Sequence, residues 1–154
     1  MDQGFEEVTD MDTESARLLG ELLSEREILR TLHAYGHGLD YGDEALFMDC
    51  WQEDAILARP ISGEHAGHDA ILRAFKRHTH APDVYHKHFL VEPLIRLSGD
   101  EASVDSMFAR LDVFPDGPQM STFGRYRDRL RRCPDGRWRF VRRDAEIEAS
   151  RPTV

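Results

Sequence analysis

The sequence predicts an α+β fold, three N-terminal helices packed on a curved, mainly antiparallel sheet, and three observations carry that expectation. Apolar residues keep a helical period through the first half of the chain, and from about Tyr85 the period shortens to that of strands. The strand candidates are joined by short Gly, Pro and Asp turns, not by crossover helices. A length of 154 residues suffices for one sizeable core but not two.

Residues 1–13 carry few apolar side chains and are expected to form a loose arm, leaving a single domain over residues 14–150. From Glu14, the positions Leu18, Leu22, Ile28, Leu29, Leu32, Tyr35 and Leu39 hold approximately helical spacing, with Thr13 as N-cap and an end near Gly38. Tyr41-Gly42-Asp43 is a turn, and Asp43 caps a second helix carrying Ala45, Leu46, Met48, Cys50 and Trp51. A short strand over Glu53–Leu57 follows, then a loop over Arg59–Gly67 and a third helix over His68–His78.

Four long strands complete the pattern, over Tyr85–Leu97, Ala102–Phe114, Met120–Arg132 and Arg137–Ile147. In the third of them Met120, Thr122, Gly124, Tyr126, Asp128 and Leu130 alternate with Ser121, Phe123, Arg125, Arg127 and Arg129, so the first set should face inward. The mid-strand glycine marks either a pocket wall or a bend in the sheet.

Composition excludes several function classes. A net charge of −9 argues against nucleic acid as a partner, and the arginines of the last two strands read as a solvated or subunit-facing side. No apolar run approaches the ~20 residues of a membrane span, and the acidic stretch Met1–Asp12 is unlike a signal peptide, so a cytoplasmic protein is expected. Cys50 and Cys133 form no C-x-x-C pair and read as reduced structural thiols. No phosphate-binding glycine loop, serine elbow or catalytic cysteine setting is present.

Candidate chemistry gathers around Leu32–Asp40 and the His86-Lys87-His88 stretch. Tyr35 and Asp40 are five apart, about 140° on an unbroken helix, so they can line different walls of one cavity but not a single point. His86, His88 and Leu90 share one strand face, and if that face is concave His88 can meet Asp40. A buried carboxylate on one imidazole nitrogen fixes the tautomer and makes the other nitrogen a base near neutral pH. Tyr35 can then hydrogen-bond a substrate oxygen as charge develops there. The competing reading is structural, with Asp40 a cap, His88 a satisfied strand residue and Tyr35 core. Histidines at His33 and His37, and at His78, His80 and His86, have spacings compatible with a metal, but H-E-x-x-H is absent and no metal or cofactor is expected.

The segments Tyr35–Asp43, Trp51-Gln52-Glu53-Asp54-Ala55, Gly67–Ile71, Lys87-His88-Phe89, Gly124–Leu130 and Asp135–Phe140 resemble the SnoaL-like group of the NTF2-like superfamily, a cone-shaped α+β barrel. The resemblance runs from about Glu21 to Glu148 and is strongest to the branch holding scytalone dehydratase, hexachlorocyclohexane dehydrochlorinase and bile-acid 7α-dehydratase. It implies a catalytic set of Tyr35, Asp40, His88 and Arg143, the last following Trp138-Arg139-Phe140, with Trp51, Thr122, Gly124 and Tyr126 lining the substrate pocket. The second histidine of scytalone dehydratase has no counterpart around Ala109-Arg110-Leu111, and its Ser and Asn fall near Gly124 and Tyr126, which argues against scytalone itself. The implied activity is a cofactor-independent lyase or isomerase acting on a small molecule, in a homodimer or homotrimer. A non-catalytic binding module and a polyketide cyclase are the alternatives.

Overall fold

The computed structural model describes residues 12–151, and the expected arm lies almost wholly outside them. Three helices, α1 (Thr13–Tyr41), α2 (Glu44–Met48) and α3 (His68–Lys76), pack against one sheet of six strands. The strands are β1 (Trp51–Arg59), β2 (Gly63–Ala66), β3 (His86–Ser98), β4 (Glu101–Phe114), β5 (Gly117–Arg132) and β6 (Trp138–Ser150), in the order β2-β1-β6-β5-β4-β3. All neighbours are antiparallel except β1 and β6.

Several boundaries differ from expectation for local reasons. Asp12, not Thr13, caps α1, its carboxylate accepting from the Ser15 amide. The helix runs on through Gly36 and Gly38 and ends at the left-handed Gly42. Gly38 is needed there for space, since a Cβ would lie 2.9 Å from that of Phe47 where α2 crosses. Asp43 does cap α2, but that helix closes at Met48 and Trp51 opens β1 instead. The stretch expected as a loop contains β2, which turns back onto β1.

Alternation on the long strands follows the period-2 rule until a bulge resets it. Ala102, Val104, Ser106 and Phe108 of β4 and Gly124, Tyr126, Asp128 and Leu130 of β5 face inward, with arginines between the latter facing out. Pairing slips between Arg110 and Leu111 of β4, so Met120 is exposed and Ser121 turns its hydroxyl to Asp112, opposite to the expected alternation. On β6, pairing passes from Phe140 to Arg142 with Val141 skipped, which carries Arg143 onto the inner face. The core comprises Ile28, Leu32, Tyr35 and Leu39 of α1 against Phe47, Trp51, Tyr126, Leu130, Trp138 and Phe140. Among the described residues no helix is long and apolar enough to cross a membrane.

Candidate active site

Asp40 sits in the last turn of α1, 3 % exposed, where β3 passes alongside. Its carboxylate accepts twice from one residue: Oδ2 from the His88 backbone N–H at 2.9 Å and Oδ1 from His88 Nδ1 at 2.6 Å. Burial alone would raise the Asp40 carboxyl, but the side-chain and backbone hydrogen bonds from His88 outweigh it and hold it below the usual carboxylate range. An ionised Asp40 accepts only, so His88 directs an Nδ1 proton at it, and the neutral ring then has its lone pair on Nε2.

The turn after α3 secures the same helix end. His80 Nδ1 donates to the Leu39 carbonyl at 2.6 Å and the Ala81 amide to the Asp40 carbonyl at 3.1 Å, satisfying carbonyls that a helix C-terminus leaves open. The same turn brings His78 Nε2 to 3.0 Å from His86 Nε2, which in turn lies 3.4 Å from Asp40 Oδ1.

His78 and His88 both line a cavity of about 1070 Å³, together with Tyr35, Phe108, Thr122, Tyr126 and the half-buried Arg59 and Arg110. On its wall Arg110 and Ser121 both donate to Asp112, and although burial opposes it, those hydrogen bonds keep that carboxyl low. Tyr126 stacks on Phe108 with ring centroids 4.5 Å apart, and burial pushes its phenol up, keeping it protonated.

Arg143 does not reach the cavity. It is fully buried, bonds Asp128 at two points (2.8 and 2.7 Å), and lies 4.0–4.3 Å from the ring centroids of Tyr126, Tyr35 and Phe140. Burial lifts the Asp128 carboxyl against the pull of Arg143, while Asp128 raises the Arg143 guanidinium against the same burial. The arrangement fixes the Tyr35 ring from behind. Trp51 and Gly124 also fall outside the lining. Trp51 is packed between Phe47, Tyr35 and Phe140, and a Cβ on Gly124 would lie 1.9 Å from the Glu146 carbonyl oxygen, so this glycine serves the close approach of β6.

Asp40, His86 and His88 offer ligand atoms within 4.8 Å of one another, and theirs is the single group of that kind among the described residues. The 2.6 Å contact between His88 and Asp40 is a hydrogen-bond length with a proton between the atoms, so the trio is arranged as a proton network. His33 and His37 are exposed, and His80 Nδ1 is committed to a backbone carbonyl. Sequence reasoning missed Asp128, Ser121 and Arg59. Only Asp128 carried a signal, as a carboxylate on an inward strand position.

The model of the SnoaL-like domain matches residues 20–144. The chain belongs to the SnoaL-like family. Among solved structures, an NTF2-like protein with a cystatin-like fold from Novosphingobium aromaticivorans is similar at 26 % identity and a TM-score of 0.81, covering 92 % of each chain. A hexachlorocyclohexane dehydrochlorinase, LinA-type3 from Novosphingobium barchaimii, is 20 % identical with a TM-score of 0.74, over 88 % of this SnoaL-like chain and 93 % of its own. ActVI-ORFA from Streptomyces coelicolor is 19 % identical with a TM-score of 0.71, over 80 % and 96 %. No curated protein matches in sequence. The fold is therefore the NTF2-like α+β cone, as the resemblance implied.

Proposed function

We propose that this SnoaL-like protein is a small-molecule lyase or isomerase that needs no cofactor. The observation that carries the reading is a buried carboxylate hydrogen-bonded to Nδ1 of His88, a residue that lines a cavity of about 1070 Å³. His88 Nε2 takes a proton from a carbon beside an activating group, and Asp40 stabilises the resulting imidazolium. The electron pair of the broken C–H bond forms a double bond, either expelling a leaving group from the neighbouring carbon or shifting an existing double bond. A departing hydroxide regains the proton from His88 and leaves as water, a departing halide leaves the proton on His88 to pass to solvent, and in the double-bond shift His88 returns the proton to the far carbon of the shifted system. Tyr35 hydrogen-bonds a substrate oxygen, and Arg143, locked to Asp128, keeps the Tyr35 ring in place. Thr122 and Tyr126 shape the wall.

The cavity lies just above the ~300–1,000 Å³ of ordinary small-molecule sites, which favours a substrate of more than one ring and keeps a polyketide-type cyclase as the second reading. The test is a panel of hydroxylated and halogenated cyclic compounds followed by mass spectrometry for loss of water or of hydrogen halide. His88→Ala and Asp40→Asn should each abolish turnover while leaving the circular dichroism unchanged, and turnover surviving in the double variant overturns the proposal. The outer sheet face, where Phe89, Met107 and Phe123 are exposed, is the surface for self-association, which sedimentation of a Phe123→Glu variant tests.

A further inference from the structure

The cavity holds a second imidazole besides His88. His78 lines the same space, 6.0 Å from His88 between ring centroids, yet it comes from the turn after α3 and plays no part in the Asp40–His88 pair. Its state follows from hydrogen-bond counting around His86, which lies between His78 and Asp40.

The His86 ring is buried, and its Nδ1 has no partner. If Nδ1 carried the proton, a buried donor would be left unsatisfied and the Nε2 lone pair would face the anionic Asp40 oxygen at 3.4 Å. With the proton on Nε2, directed between Asp40 Oδ1 and His78 Nε2, the repulsion becomes an attraction and the buried Nδ1 is left as an unpaired acceptor, not an unpaired donor. His78 Nε2 is then the acceptor of the 3.0 Å contact, so its one remaining proton lies on Nδ1. That nitrogen makes no hydrogen bond to protein among the described residues and is not among their buried unpartnered atoms. His78 is neutral at pH 7, since burial, with the neighbouring His86 and His88, pushes it down to about 3. Its donor therefore owes nothing to charge.

We propose that His78 is a second substrate-facing imidazole, a fixed Nδ1–H donor that holds an oxygen of the substrate while the His88 lone pair meets the C–H to be broken. One carboxylate sets both, directly for the base and through His86 for the donor. The 6.0 Å between the rings leaves room for an acidic C–H and an oxygen on a neighbouring carbon or one atom further. An N–H donor pairs strongly with a hydroxyl or carbonyl oxygen and poorly with carbon-bound halogen, so the substrate class is oxygenated, a hydroxy or keto compound. This rests on the reading of His88 as base, and the test separates the two.

The experiment is long-range ¹H–¹⁵N correlation on the full chain with ¹⁵N-labelled histidine at pH 7, alone and with cyclohexanone, whose oxygen accepts and cannot donate. The expected result is a neutral His78 with its proton on Nδ1, and a downfield shift of that proton on adding cyclohexanone. His86→Phe removes the donor to Nε2 and should release His78 to the Nε2–H form, while the unsubstituted protein gives its own answer if that variant does not fold. An Nε2–H or cationic His78, or an Nδ1 proton that cyclohexanone does not move, overturns the proposal. A proton on His88 Nε2 overturns the base assignment instead, and with it the paired role given to His78.

Discussion

Replacing Asp40 by Asn should change the chemistry of the site more than its stability. The carboxamide would keep one acceptor, which suits the His88 backbone N–H, and would place an amide donor where Oδ1 now meets His88 Nδ1 at 2.6 Å. The imidazole can satisfy that donor only by moving its proton to Nε2, so the cavity would face an N–H in place of a lone pair. Two hydrogen bonds to a charged group, each worth about 1.5–3 kcal/mol, become neutral ones of about 0.5–1.5, a loss of about 2 kcal/mol. For a domain of this size that lowers Tm by about 4–8 °C. Because Asp40 is held below the ordinary carboxylate pKa of 3.8, its contribution is fully present above that value and is lost as pH falls through the folded pKa. Urea unfolding should therefore show a gap between the two proteins at pH 7 that begins to narrow below about pH 4. Histidine ¹⁵N shifts report the tautomer, and a base left with the wrong tautomer should lose of order 10³–10⁴ in rate. A His88 that keeps its Nδ1 proton in the variant, or a stability gap unchanged at pH 3, refutes the reasoning.

Other expectations follow from the same geometry. Arg143→Leu alone strands a buried Asp128 and should cost about 3–5 kcal/mol in urea unfolding, whereas Arg143→Leu with Asp128→Leu should recover most of it. Gly124→Ala places a methyl 1.9 Å from the Glu146 carbonyl and forces β6 away, a loss of about 1–3 kcal/mol with a lowered urea midpoint. Burial pushes the Cys50 thiol up to about 12, so an aromatic disulfide reagent at pH 8 should titrate only the half-buried Cys133 in the native protein and both thiols in urea.

Much of the fold was legible because it rests on period. The shift from helical to strand spacing near Tyr85 and the Gly and Pro turns located the long elements, since both reflect local sterics. What the period could not carry was any position beyond a bulge. Simple alternation from Trp138 and Phe140 points Arg142 inward, and only the skipped Val141 turns Arg143 there; its place follows from family likeness alone. Met120 and Ser121 exchange faces for the same reason. Asp40 and His88 were legible because each lies in an undisturbed stretch of its element. His78 reads in the sequence only as one histidine among several, since a turn has no period from which to infer its direction.

The parallel pairing of β1 with β6 joins residues 51–58 to residues 140–144. Every group of the Asp40–His88–His86–His78 network is made within the first 88 residues, yet Phe140 and Arg143, which back the Tyr35 ring, arrive some 50 residues later. Contacts this distant in sequence are slow to form, and the residues of the proton network leave the ribosome before those that wall it in. A chain stopped short of Trp138 would carry all four of those groups and no closed floor beneath them.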